Sequence, residues 1–153
     1  MMVIAVGADH AGFRLKEHLK EWLLGRGHTV VDAGTHDEQS VDYPDYAAAV
    51  GESVVGGRAD RGVLVCGTGI GISIAANKIP GVRAALCAEP YSARLSRGHN
   101  DTNILALGAR ILAPDAAVRI LDTWLAAPFE GGRHQRRLDK LSALEETAGA
   151  SAR

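Results

Sequence analysis

One stretch, residues 62–78 (Gly-Val-Leu-Val-Cys-Gly-Thr-Gly-Ile-Gly-Ile-Ser-Ile-Ala-Ala-Asn-Lys), limits what this chain can become more than any other. Val63, Leu64 and Val65 make a short apolar run that fits a strand buried on both faces. Cys66 follows, then Gly67, Gly69 and Gly71 alternate with Thr68 and Ile70, and a helical apolar pattern begins at Ile72. A strand that breaks into glycines and re-forms as a helix leaves unpaired backbone N–H groups aimed at one spot. The positive end of the helix dipole makes that spot attractive to negative charge. A thiol held there also has its thiolate favoured. One turn therefore offers a base or nucleophile together with an anion hole. The alternative is a tight β-to-α turn in which Cys66 is a small buried apolar residue.

The same alternation runs through the chain. Residues 3–6 read as a buried strand ending in Gly7-Ala8-Asp9-His10-Ala11-Gly12. Residues 13–24 read as an amphipathic helix, with Leu15, Leu19, Trp22 and Leu23 on one face and Lys16, Glu17, Lys20 and Glu21 on the other. A second strand covers 28–32, and a polar loop over 34–43 leads into a helix that starts at Pro44 and runs to about residue 55. After the central strand and helix, closed by Pro80-Gly81, come a strand over 82–87, a short helix over 91–97 and a strand over 104–107. A helix over 115–126 turns Val118, Leu121, Trp124 and Leu125 inward, and a last helix over 133–146 starts basic and ends acidic. Residues 149–153 are expected to fray, leaving a single domain over 1–148.

Strands alternating with helices predict an α/β fold, a five-stranded parallel sheet with helices on both faces. The common strand order 2-1-3-4-5 puts the ligand crevice between strands one and three, beyond their carboxyl ends. Asp9-His10 would then face Cys66-Gly67-Thr68-Gly69 across that crevice.

Composition excludes several functions. Lys and Arg total 17 against 18 Asp and Glu, a formal net charge of −1, so no global field recruits nucleic acid or an anionic membrane. No apolar run approaches the roughly 20 residues that span a bilayer, and the first residues lack the basic start and cleavage site of a signal peptide. The two cysteines show no C-x-x-C spacing, which suits a reducing, cytoplasmic setting. Nucleotide motifs are broken as well. A dinucleotide fingerprint starting at Gly67 has Ile72 at its sixth position, and a Walker loop over 7–12 is followed by Phe13-Arg14 instead of Lys and Ser or Thr.

Three more polar clusters stand out. Asp9 and His10 suit a loop that caps a helix, or a site. His99-Asn100-Asp101 reads as a polar turn, or as part of a site. Arg133, His134, Arg136 and Arg137 open the last helix, where basic residues oppose the dipole unless an anion binds nearby; the alternative is a solvated face.

Taken together, these motifs resemble one family. Gly-Ala-Asp-His-Ala-Gly at 7–12, Asp-Tyr-Pro at 42–44, the Cys66 stretch, Glu-Pro-Tyr-Ser-Ala at 89–93, His-Asn-Asp-Thr-Asn at 99–103 and Gly-Gly-Arg-His at 131–134 match type B ribose-5-phosphate isomerases in order and spacing. This family is shared with galactose-6-phosphate isomerase subunits.

The resemblance implies a Rossmann-like three-layer sandwich and a cofactor-independent, metal-independent aldose–ketose isomerase of pentose phosphate metabolism. It implies a homodimer or dimer of dimers with sites shared between subunits. Residue by residue, it implies Cys66 as the base, with Thr68 and the backbone of Gly67, Gly69, Ile70 and Gly71 as the anion hole. His99 would open the sugar ring, and Asp9 would move a proton between oxygens. His10, Arg133 and Arg137 would grip phosphate, with Asn100 and Arg110 as further substrate contacts. His99, Asn100, Arg110 and the last helix would come from the neighbouring subunit. Six-carbon sugar 6-phosphates (allose or galactose 6-phosphate) are the alternative substrates. Some members place a Glu where this chain has Ile72, so this chain falls in the cysteine branch. Cys87 matches no functional position.

Overall fold

The computed structural model describes residues 1–151, with side chains described through residue 150. Among the described residues there are eleven elements, strands and helices alternating up to the tenth and a last helix following it. They are β1 (Val3–Ala8), α1 (Phe13–Gly25), β2 (Thr29–Asp32), α2 (Tyr43–Val55), β3 (Arg61–Cys66), α3 (Ile70–Ala76), β4 (Ala84–Leu86), α4 (Pro90–Asn100), β5 (Ile104–Gly108), α5 (Pro114–Ala126) and α6 (Arg133–Ser151). The tail expected to fray coincides with the last turn of α6 as far as Ser151 and otherwise lies outside the described residues.

All strand pairs are parallel, and the order is β2-β1-β3-β5-β4. The expected order 2-1-3-4-5 is corrected in its last two places. β4 keeps only three of the six residues expected, and none of the three is buried, whereas all five residues of β5 are buried. The strand with a long apolar run takes the place beside β3, and the short one becomes the edge, where unpaired backbone is least costly. The crevice between β1 and β3 does not depend on this exchange.

Side-chain alternation along the strands builds two cores. Ile4, Val6, Val63, Val65, Leu105 and Leu107 face α1 and α5, against Leu15, Leu19, Leu23, Ile120, Leu121 and Trp124. Ala5, Leu64, Cys66, Ile104 and Ala106 face α2 and α3, against Ala47, Val50, Ile72 and Ala76. Trp124 is fully buried, and its indole N–H is satisfied by the Thr102 hydroxyl at 2.9 Å. Lys16, also buried on α1, is held by Asp32 at 2.7 Å and Glu17 at 3.0 Å. No helix among the described residues is long and apolar enough to cross a membrane.

Candidate functional site

The β3–α3 turn has the expected form, with α3 starting two residues before Ile72. Gly69 takes a left-handed φ of 79° as the N-cap of α3, a backbone state that glycine adopts without steric cost. This turn aims the Gly69 N–H at the Cys66 sulfur, at 3.2 Å. The next N–H, of Ile70, is donated to the Thr68 hydroxyl oxygen, also at 3.2 Å. Cys66 is buried at the end of β3, while Thr68 and Ile70 are exposed. The sulfur thus sits between the apolar core and the start of a helix, with an amide donor on it.

Asp9 joins this turn through strand register. β1 and β3 pair as far as Ala8 with Val65, and the Asp9 N–H continues the ladder to the Val65 carbonyl at 3.3 Å. One residue further sets Asp9 beside Cys66. Asp9 is buried, and its carboxylate accepts the Gly12 N–H at 3.1 Å. His10 is half-buried, with its Nδ1 3.2 Å from the main chain of Val41.

Arg110 completes this end of the sheet. Its N–H reaches the Gly67 carbonyl at 2.9 Å, and its guanidinium fills the space over Gly67 of the same chain. The expectation that Arg110 comes from a neighbouring subunit is corrected to that extent, because β5 lies next to β3 and delivers it directly. Tyr43, which the sequence reading did not single out as a site residue, packs its ring against Gly71, where a Cβ would come within 3.0 Å of its hydroxyl oxygen. Its signal was the Asp-Tyr-Pro at 42–44, an aromatic immediately before the proline expected to open the helix.

His99, Asn100, Arg133 and Arg137 are elsewhere. His99 and Asn100 are the last residues of α4, which extends three residues beyond the expected end and is capped by Asp101 at φ 44°. α4 runs back to the amino end of β5, where Ile104 pairs with Gly62, while Cys66 pairs with Gly108 at the other end. At about 3.3 Å per residue, the four steps from Gly62 to Cys66 separate the two ends by about 13 Å. Arg133 and Arg137 are exposed on α6, at the His99 end.

The His99 end holds an arrangement the sequence reading missed. The imidazoles of His99 and His134 stack with centroids 4.2 Å apart and planes 11° apart, and His99 Nε2 is 3.6 Å from the Glu130 carboxylate. His134 is buried, and burial first, then the nearby His99 and Arg133, lower its pKa from the usual imidazole value. Gly98 makes room for Glu130, whose carboxylate occupies the place a Gly98 Cβ would take. A glycine inside α4 next to His99 was the available signal. Cys87 is a core residue, and burial raises its thiol pKa.

Comparison with known proteins decides the family. The Ribose/Galactose Isomerase family matches residues 4–141. The chain belongs to that family. It is 53% identical over 146 residues to ribose-5-phosphate isomerase B of Escherichia coli strain K12, covering 95% of this chain and 98% of that one. The ribose-5-phosphate isomerase B structure from Clostridium thermocellum matches with a TM-score of 0.96 and 53% identity, covering 96% of this chain and 99% of that one. The Mycoplasma genitalium enzyme, solved with bound ribulose 5-phosphate, matches with a TM-score of 0.90 and 41% identity over 94% of this chain and 96% of that one.

Proposed function

We propose that the protein interconverts ribose 5-phosphate and ribulose 5-phosphate by proton transfer through an enediolate, with Cys66 as the base. The observation that carries this reading is the Cys66 sulfur under the Gly69 N–H, in register beside Asp9, in a family of sugar isomerases. The carbon-bound proton next to a carbonyl is acidic enough to remove only when charge developing on oxygen is met by oriented donors. The backbone N–H groups at the start of α3 and the Thr68 hydroxyl supply them. Cys66 takes the proton from carbon 2 and returns it to carbon 1, while Asp9 accepts a proton from oxygen 2 and gives one to oxygen 1. His99 moves the protons that open the furanose. His10, Arg133 and Arg137 hold the phosphate, with Asn100 and Arg110 as further contacts, so that remote binding energy fixes the reacting carbons.

The working unit in this reading is a dimer, in which His99, Asn100 and the start of α6 of one copy complete the Cys66 pocket of the other. Two observations support it. The two halves of the site lie at opposite ends of the sheet within one chain. The surface around the turn also exposes Ile70, Ile74, Leu86 and Ile111, apolar groups that a second copy would cover.

Incubation with ribose 5-phosphate in deuterated water tests the reaction. Wild type is expected to form ribulose 5-phosphate with deuterium at carbon 1. Cys66→Ala is expected to lose this activity and keep its affinity for inorganic phosphate. Retained turnover in Cys66→Ala refutes the base assignment. Turnover confined to allose or galactose 6-phosphate in a panel of sugar phosphates moves the substrate from five carbons to six.

A further inference from the structure

The backbone of two separate segments places Glu130 against His99. His99 is the next-to-last residue of α4, and Glu130 lies in the loop before α6. The Glu130 N–H is donated to the Gly98 carbonyl at 3.0 Å. Its carboxylate then lies in the space that a side chain at position 98 would fill, 3.6 Å from His99 Nε2. Among the described residues, its ionic partner is this imidazole and no lysine or arginine. Gly131 and Gly132, at φ 66° and 56°, turn the chain so that α6 lays the His134 ring on the face of the His99 ring, with planes 11° apart.

A carboxylate beside the C-terminal end of a helix is unfavourable on its own, because the dipole there is already negative. A partner able to carry positive charge offsets this, and His99 is the one in reach. The geometry also divides the two ring nitrogens. A carboxylate accepts hydrogen bonds and donates none, so it favours the tautomer with a proton on Nε2 and a lone pair on Nδ1. At 3.6 Å the pair is longer than a hydrogen bond, and the half-exposed Glu130 side chain is free to close the gap when a ligand fills the site. His134 holds the ring plane from one side. Burial first, then His99 and Arg133, keep it toward its neutral form, so it sets no second charge against an imidazolium at His99.

We infer that Glu130 is a positioning residue for ring opening, one that turns Nδ1 of His99 toward the sugar and balances the charge His99 acquires. This role rests on the function proposed above. Opening the furanose removes the proton from oxygen 1 and breaks the bond between carbon 1 and oxygen 4. The electron pair of that bond stays on oxygen 4, which gains a proton. Both oxygens sit on carbon 1, so one nitrogen can serve both. Nδ1 takes the first proton, and the imidazolium, paired with Glu130, delivers a proton to oxygen 4. The step does not involve Cys66, so Glu130 acts on the cyclic sugar alone.

The test compares a cyclic with an open-chain substrate, using the full chain. Ribulose 5-phosphate cannot close a furanose, because its oxygen 5 carries the phosphate. Solvent exchange of its carbon 1 hydrogen therefore reports the chemistry at Cys66 without ring opening. Glu130→Ala is expected to slow conversion of ribose 5-phosphate by at least about tenfold and to keep this exchange within about twofold of wild type. Gly98→Ala should do the same with Glu130 still present, because the new methyl displaces the carboxylate while alanine, the better helix former, preserves α4. In a His99→Asn background, adding Glu130→Ala should cost no more than about twofold further, since its effect passes through the imidazole. Equal loss of conversion and exchange, an effect undiminished in His99→Asn, or no loss of conversion overturns the positioning role. Wild type that neither converts ribose 5-phosphate nor exchanges ribulose 5-phosphate refutes the function proposed above, and this role falls with it.

Discussion

The placement of Cys66 and His99 at two ends of the sheet, read with the function proposed above, makes a quantitative prediction. Cys66 ends β3 beside Gly108, and His99 precedes Ile104, which pairs with Gly62 about 13 Å away along the strands. A substrate the size of a pentose phosphate cannot be served by both groups of one chain across that span and a covering helix. In the symmetric dimer proposed above, each site would take Cys66 from one copy and His99 from the other. Cys66→Ala and His99→Asn should each fall to about a hundredth of wild-type activity or less, the usual loss for a proton-transfer group. Mixed at equal amounts and allowed to exchange subunits, about half of the dimers pair one variant with the other. Each mixed dimer has one doubly damaged site and one intact site, so about a quarter of wild-type activity should return. The assay is steady-state turnover of ribose 5-phosphate by co-expressed, doubly tagged protein, with the single variants as blanks. Activity no higher than the mean of the two parents would refute the shared site, because a site built within one chain gains nothing from mixing.

Other consequences follow from the scaffold. Burial opposes ionisation of Asp32, but Lys16, Lys20 and the Gly34 N–H outweigh it and hold its pKa at about 2, below the ordinary 3.8. Its contribution to stability is therefore present above about pH 3.8 and lost as pH falls toward 2, so urea unfolding of Asp32→Asn should depend less on pH in that window than wild type. Near neutrality the same substitution leaves the buried Lys16 ammonium with only Glu17 and should cost about 3 kcal/mol, read as a lower midpoint in urea. Trp124→Phe removes the indole donor to Thr102, leaving that hydroxyl with Ser96, and should cost about 1–2 kcal/mol by the same measurement. Gly69→Ala forces a side chain into the left-handed region and against Leu86 and the Leu107 carbonyl, so it should cost more than about 1–2 kcal/mol in thermal melts and also lower kcat. An unchanged melting point would show that the turn relaxes.

The sequence by itself determined what depends on neighbours along the chain. Three glycines after an apolar run can hardly do anything but turn a strand into a helix, so Cys66, Thr68 and the amide cluster were legible together. Alternating strands and helices likewise determined the parallel sheet, and the β1–β3 crevice survived a change in strand order. Tertiary structure decided what depends on distant competition for burial. β5 outcompeted β4 for the place beside β3, which carried Arg110 onto Gly67. His99 lies at the far end of the sheet because α4 runs back to the amino end of β5, and Asp101 caps that helix in the left-handed region. The meeting of His99, Glu130 and His134 was hidden for a similar reason, since no local pattern links residues more than thirty apart. It exists only because the Gly98 notch and the Gly131-Gly132 turn let the loop before α6 fold back onto the end of α4.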